Sequence, residues 1–141
     1  MKLKHNANLE VIKDKRVILI DDSIVRGTTS KKIVQMIREA KAKKVYMLIA
    51  SPPTVNPCFY GVDTPDKKNL MASNYGIDEM AKMIGVDKLA YISIDGLYKA
   101  INNVARNNEV PQYCDACFTG DYPIRLTDKE GLEMPLFNFL K

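Results

Sequence analysis

A short apolar run, VILI at positions 17–20, ends in two adjacent aspartates, and a glycine turn then opens a helical pattern. That order of features restricts the possible folds more than anything else in the chain. Residues 16–20 (RVILI) are β-branched and continuously apolar, which predicts a strand buried on both faces of a parallel sheet. Residues 21–29 read as a polar turn. From 30 to 41 the apolar residues Ile33, Val34, Ile37 and Ala40 share one helical face, with Thr29 or Ser30 placed to cap the start. Residues 45–50 (VYMLIA) predict a second buried strand, stopped by Ser51, Pro52 and Pro53. Together they form one βαβ unit of about 30 residues. The fold class is therefore α/β with a parallel sheet.

The rest of the chain extends this unit only a little. Residues 54–68 carry Pro57, Gly61 and Pro65 and read as a long irregular loop, of the kind that is usually functional or disordered. Residues 77–84 predict a short helix burying Ile77, Met80, Ala81 and Ile84, with Gly85 as its stop. Residues 89–92 predict a third strand, and Ser93 can cap a helix reaching about residue 103. Past Arg106 the pattern dissolves into turns around Pro111, Gly120, Pro123 and Pro135. The expected division is 1–106, a sheet-bearing part, and 107–141, an irregular tail. Two or three strands make an incomplete open sheet, so the chain is expected to be part of something longer.

Bulk properties exclude several classes. In 141 residues the net charge is +4, with a pI near 8.9, too small and scattered an excess to indicate nucleic acid as a partner. The lysine groups at Lys41, Lys43 and Lys44, and at Lys67 and Lys68, read as solvated surface. No apolar stretch is long enough for a membrane span or a signal peptide, and the expected location is the cytoplasm. Three cysteines, an odd number without an export signal, argue against a disulfide framework. Cys114 and Cys117 form a Cys-x-x-Cys, which alone is half a zinc knuckle, a redox pair or two buried apolar residues. Cys58 could add a third thiolate. His5, the one histidine, reads as a solvent-exposed residue near a terminus.

Residues 21–29 carry the chemistry. In open α/β sheets ligands sit at the carboxyl ends of the strands, which is where Asp21 and Asp22 are delivered. The turn at Gly27 leads into a helix opening with Thr28, Thr29 and Ser30, whose free N–H groups and hydroxyls suit a phosphate. Carboxylates beside such a cradle can accept hydrogen bonds from ribose hydroxyls or hold Mg²⁺. The local logic is a sugar-phosphate site. Asp-Asp after a strand also occurs in metal and phosphoacceptor sites, and Gly-Thr-Thr can be plain helix capping. The chain lacks both the P-loop and the dinucleotide glycine patterns.

The run VILIDDSIVRGTTS resembles the phosphoribosylpyrophosphate signature of the type I phosphoribosyltransferases, and its wording is most similar to the amidophosphoribosyltransferases of purine synthesis. SPP at 51–53, PCFYGVD at 57–63, IGVDKLAYIS at 84–93 and CFTGDYP at 117–123 resemble the same family in the same order. The resemblance implies that Asp21 and Asp22 hold the ribose hydroxyls and Mg²⁺, while Ser23, Ile24, Val25, Arg26, Gly27, Thr28 and Thr29 wrap the 5′-phosphate. It implies that the parent makes 5-phosphoribosylamine, glutamate and pyrophosphate from phosphoribosylpyrophosphate, glutamine and water, as a homotetramer inhibited by purine nucleotides. Cys58, Cys114 and Cys117 resemble three of the four ligands of the 4Fe-4S cluster some members carry, the fourth lying upstream of Met1. Cluster binding by this chain alone is expected to be weak or absent. The glutaminase domain, its catalytic cysteine and the first half of the transferase domain have no counterpart here, and residues 2–6 resemble the end of a flexible loop. No catalytic residue is expected within the chain, and its isolated activity is expected to be weak or nil. The alternative reading is a regulatory module that binds phosphoribosylpyrophosphate without catalysis.

Overall fold

The computed structural model describes residues 7–102 and 104–124. His5, residues 2–6 and Pro135, all singled out above, lie outside them. Within the described residues the strands β1 (Arg16–Asp21), β2 (Lys44–Ile49) and β3 (Lys88–Tyr91) form one parallel sheet in the order β1-β2-β3. Asp21 pairs with Ile49, and Ile49 with Tyr91, so the carboxyl ends of all three strands are level. The helices are α1 (Leu9–Ile12), α2 (Thr28–Glu39), α3 (Met71–Asn74), α4 (Ile77–Ile84), α5 (Ile94–Asn102) and α6 (Ala116–Thr119).

The core lies on one side of the sheet. Val45, Met47, Ile49 and Leu89 point into it and meet Val34 and Ile37 of α2 and Met80, Ala81 and Ile84 of α4. Burying each of the larger side chains stabilises the fold by about 1.5–3 kcal/mol. The opposite face differs from the expectation of strands buried on both sides. Ile18 is 59% exposed, Ile20 76% and Leu48 42%. The reason is placement. α2 and α4 pack on the same face, and among the described residues nothing covers the other, so only alternate strand residues are buried.

Polar tethers fix the helices to the sheet. Asp87, just before β3, accepts from Arg38 of α2 at 2.6 Å, from Lys44 of β2 at 2.7 Å and from the Val45 N–H at 2.8 Å. Lys44, the Val45 N–H and Arg38 hold its carboxyl well below the usual carboxylate range. α4 ends at Gly85, which sits in the left-handed region at φ 92°, as its stop position requires.

Three local expectations change. The cap of α2 is Gly27 at φ 72°, with no side-chain capping bond, rather than Thr29 or Ser30, because the helix begins at Thr28. The stretch after the long loop is not bare: a 3₁₀ turn (Lys67–Asn69) and α3 form there, anchored by Leu70, which is fully buried, and Met71. Single turns carry no periodicity for a sequence pattern to show. The region past Arg106 holds α6 as well as turns, ended by Gly120 at φ 82°.

Candidate functional site

β1 ends at Asp21, and the chain then dips inward before rising into α2. Ile24, 2% exposed, plugs the loop into the core, and the Val25 carbonyl accepts from the Met71 N–H of α3 at 2.8 Å. These two anchors hold residues 21–30 around an open cleft of about 530 Å³. Asp21, Asp22, Ser23, Ile24, Val25, Arg26, Gly27, Thr28 and Thr29 all line it, joined by Ser30, Asp63 and Pro65. The nine residues read from the sequence are thus brought together as one surface. Asp63 and Pro65 were missed, since no local pattern connects a loop some 35 positions away with this turn; the Gly-Val-Asp ending of the 57–63 motif was the available signal.

The loop is organised by its own short bonds. The Asp22 N–H donates to Asp21 Oδ1 at 3.1 Å, and the Ser23 N–H to Asp22 Oδ1 at 2.7 Å. Each carboxylate therefore keeps its other oxygen for a ligand. Gly27 has no side chain to cap α2, so the first N–H groups of a twelve-residue helix face the cleft with the positive end of its dipole. Thr28 and Thr29 are exposed beside them, while Ser30 is buried. Gly27 sits at φ 72°, a region that favours glycine, and a Cβ there would also press on the flexible Met71 side chain. The chemistry is a split site: carboxylate acceptors at one end, anion-binding donors at the other.

Asp21 and Asp22 fit Mg²⁺ in the sense that this ion is commonly held by one or two carboxylates together with substrate phosphates, rather than by a full protein cage. Among the described residues no group of three or more His, Cys, Asp or Glu side chains is arranged to hold a metal ion. At the same end of the sheet, the Ser51 and Tyr91 hydroxyls are buried without a partner among the described residues, and burial pushes the Tyr91 hydroxyl up to about 12.

The cysteines meet at the far end of the long loop. The Cys117 carbonyl accepts from the N–H groups of Val55 (2.9 Å) and Asn56 (3.0 Å), and Tyr122 donates its hydroxyl proton to the Pro57 carbonyl at 2.7 Å. Burial, and then the neighbouring Cys58 and Cys114, push the Cys117 thiol up. All three cysteines are free. Among the described residues the three cysteines do not form a group placed to hold a metal ion, so a cluster on them rests on the resemblance of the cysteine motifs.

Beneath the Cys-x-x-Cys lies a buried ion pair. Asp115, 3% exposed, binds Arg106 through both oxygens (2.6 and 3.2 Å) and accepts from the buried Tyr98 hydroxyl at 2.9 Å. Burial alone would raise Asp115, but the bonds from Arg106, Tyr98 and Thr119 bring it below its ordinary value. Sequence reading missed this network, because its members are ordinary polar residues until the fold joins them.

The sequence and structure comparisons agree with this arrangement. A Rhizobium etli amidophosphoribosyltransferase is 57% identical over 135 residues, covering 95% of this chain and 27% of that protein. An Arabidopsis thaliana relative, amidophosphoribosyltransferase 2, chloroplastic, is 48% identical over 128 residues, covering 91% and 22%. The chain belongs with the amidophosphoribosyltransferases, as one segment of that family's length. It spans about a quarter of the curated relatives it matches. Among solved structures, the glutamine phosphoribosylpyrophosphate amidotransferase of Bacillus subtilis, complexed with ADP and GMP, superposes with a TM-score of 0.77 at 46% identity, over 85% of this chain and 26% of that one. The parallel sheet is accordingly part of a type I phosphoribosyltransferase fold. No protein-family model matches the chain. Among the described residues no helix is long and apolar enough to cross a membrane.

Proposed function

We propose that this chain supplies the ribose-phosphate-binding part of an amidophosphoribosyltransferase, which forms 5-phosphoribosylamine from phosphoribosylpyrophosphate in purine synthesis. The observation that carries the reading is the cleft at the carboxyl end of β1, with two carboxylates at one end and the open N-terminus of α2 at the other. The backbone N–H groups from Ile24 to Thr29, with the Thr28 and Thr29 hydroxyls, bind the 5′-phosphate, the Ser23 N–H being taken by Asp22 Oδ1. Asp21 and Asp22 accept hydrogen bonds from the ribose hydroxyls and orient C1 toward the incoming ammonia. Mg²⁺ on their free oxygens would offset charge on the departing pyrophosphate. None of these residues serves as a nucleophile, and the glutamine-hydrolysing chemistry belongs to the parent outside this segment.

Purine nucleotides carry the same ribose 5′-phosphate, so they would compete for the same cradle; the Bacillus subtilis relative's complex with ADP and GMP supports nucleotide binding in the family. Cys58, Cys114 and Cys117 would contribute three thiolates to a 4Fe-4S cluster that ties the long loop to the tail. Cytoplasmic placement and homotetrameric assembly belong to the same proposal for the parent.

Calorimetric titration of phosphoribosylpyrophosphate with Mg²⁺ tests the reading. Saturable binding is expected, weakened at least about tenfold in Asp21→Asn/Asp22→Asn, the scale of losing charged hydrogen bonds. Equal binding by both proteins would sink it.

A further inference from the structure

Asp63 and Pro65 form the wall of the cleft opposite the Asp21–Ser30 turn, yet they belong to the loop that carries Cys58. Asp63 makes no hydrogen bond or ion pair with any described residue. Among the described residues a single hydrogen bond holds the chain across 61–65: the Cys58 N–H donates to Thr64 Oγ1 at 2.6 Å, and it is partly buried. Cys58 itself is well anchored. Its neighbour Pro57 accepts from Tyr122, and Val55 and Asn56 bind the Cys117 carbonyl. Gly61 within the stretch has φ 121° and open space around it, so the backbone there offers no stiffness of its own.

We infer that Thr64 is a positioning residue, hanging the outer wall of the ligand cleft on the cysteine-bearing segment. The inference rests on the cleft being the ribose-phosphate site. One end of the loop is fixed by the Cys117 turn, the other end faces the ligand, and Thr64 is the joint between them. Asp63 then presents its carboxylate at the mouth of the cleft only while that joint is made. The effect acts through loop order, with no contact between Thr64 and ligand required.

The test compares the full chain with Thr64→Val, which keeps the shape and removes the acceptor, and Thr64→Ser, which restores it. Backbone amide order parameters at 61–64 should fall below about 0.6 in Thr64→Val and stay near about 0.8 in the native chain and Thr64→Ser. Unchanged order parameters would overturn the inference whether or not any ligand binds. Titration with phosphoribosylpyrophosphate and Mg²⁺ is the second readout: about tenfold weaker binding is expected for Thr64→Val, with Thr64→Ser close to native. Native-like affinity in Thr64→Val would also overturn it. Absence of binding by the native chain counts against the ribose-phosphate reading, and the order parameters then decide the role of Thr64 alone.

Discussion

Ten consecutive residues, Asp21 to Ser30, line most of the cleft, whereas the cysteine site draws on positions 58, 114 and 117 and is held by Tyr98, Arg106 and Tyr122. The first site is a strand end, a turn and a helix start, and its donors are backbone N–H groups. The second depends on side chains from α5, the long loop and the tail meeting through one buried ion pair. A contiguous site of this kind survives changes far away in the chain, while a dispersed one is only as ordered as its weakest tether. Residues 54–65 belong to both, with Val55 and Asn56 on the tail and Asp63 and Pro65 on the cleft.

The sharpest way to break the comparison is Asp115→Ala. It leaves Arg106 with only the exposed Asp121 and Asn108 as partners and strips the buried Tyr98 hydroxyl of its acceptor, at about 3 kcal/mol, the low end for breaking a buried pair. Hydrogen exchange should show α6 and residues 55–56 losing protection, while the amides of β1 to β3 stay protected. Loss of protection throughout the sheet would mean that the two regions are one cooperative unit.

Gly27→Val attacks the contiguous site instead. The left-handed φ and the approach of Met71 together should cost about 2–3 kcal/mol. Thermal unfolding should record the loss, and ligand affinity should fall while iodoacetamide labelling of Cys114 and Cys117 stays as in the native chain. Equal disturbance of the thiols would refute the independence of the regions.

A smaller effect is expected from Asn56→Ala, which removes the bonds to the Ala116 carbonyl and to Lys67 Nζ, about 1 kcal/mol. It should speed labelling of Cys117, which is half-buried in the native chain. An unchanged rate would assign the tether to the backbone bonds alone.

An effect no larger than that belongs to an ion-pair centre outside both regions. Asp87 has a folded pKa below its ordinary 3.8, so its stabilisation is complete above that value and fades as pH falls below it. Asp87→Asn should remove that part of the acid-side slope, about 1 kcal/mol, with stability at neutral pH lowered by the same amount. Chemical denaturation at a series of pH values measures it; a slope identical to the native chain would mean the three-way contact is not maintained in solution.

The sequence by itself determined the strand-turn-helix of residues 16–39, the parallel class of the sheet, the helix ending at Gly85 and the nine residues that line the inner cleft. Each of these is set locally, by side-chain periodicity, by a glycine that must adopt a positive φ, or by backbone groups that a helix start leaves free. Only the tertiary structure decided that, among the described residues, VILI is covered on one face alone, since burial depends on where α2 and α4 pack rather than on the strand's own residues. It also decided that Asp63 and Pro65 close the cleft and that Tyr98 and Arg106 seat Asp115 under the Cys-x-x-Cys. Those contacts join residues 9 to 44 positions apart, and whether a polar side chain is solvated or buried against a partner is a property of the folded neighbourhood, with no trace in the order of residues around it.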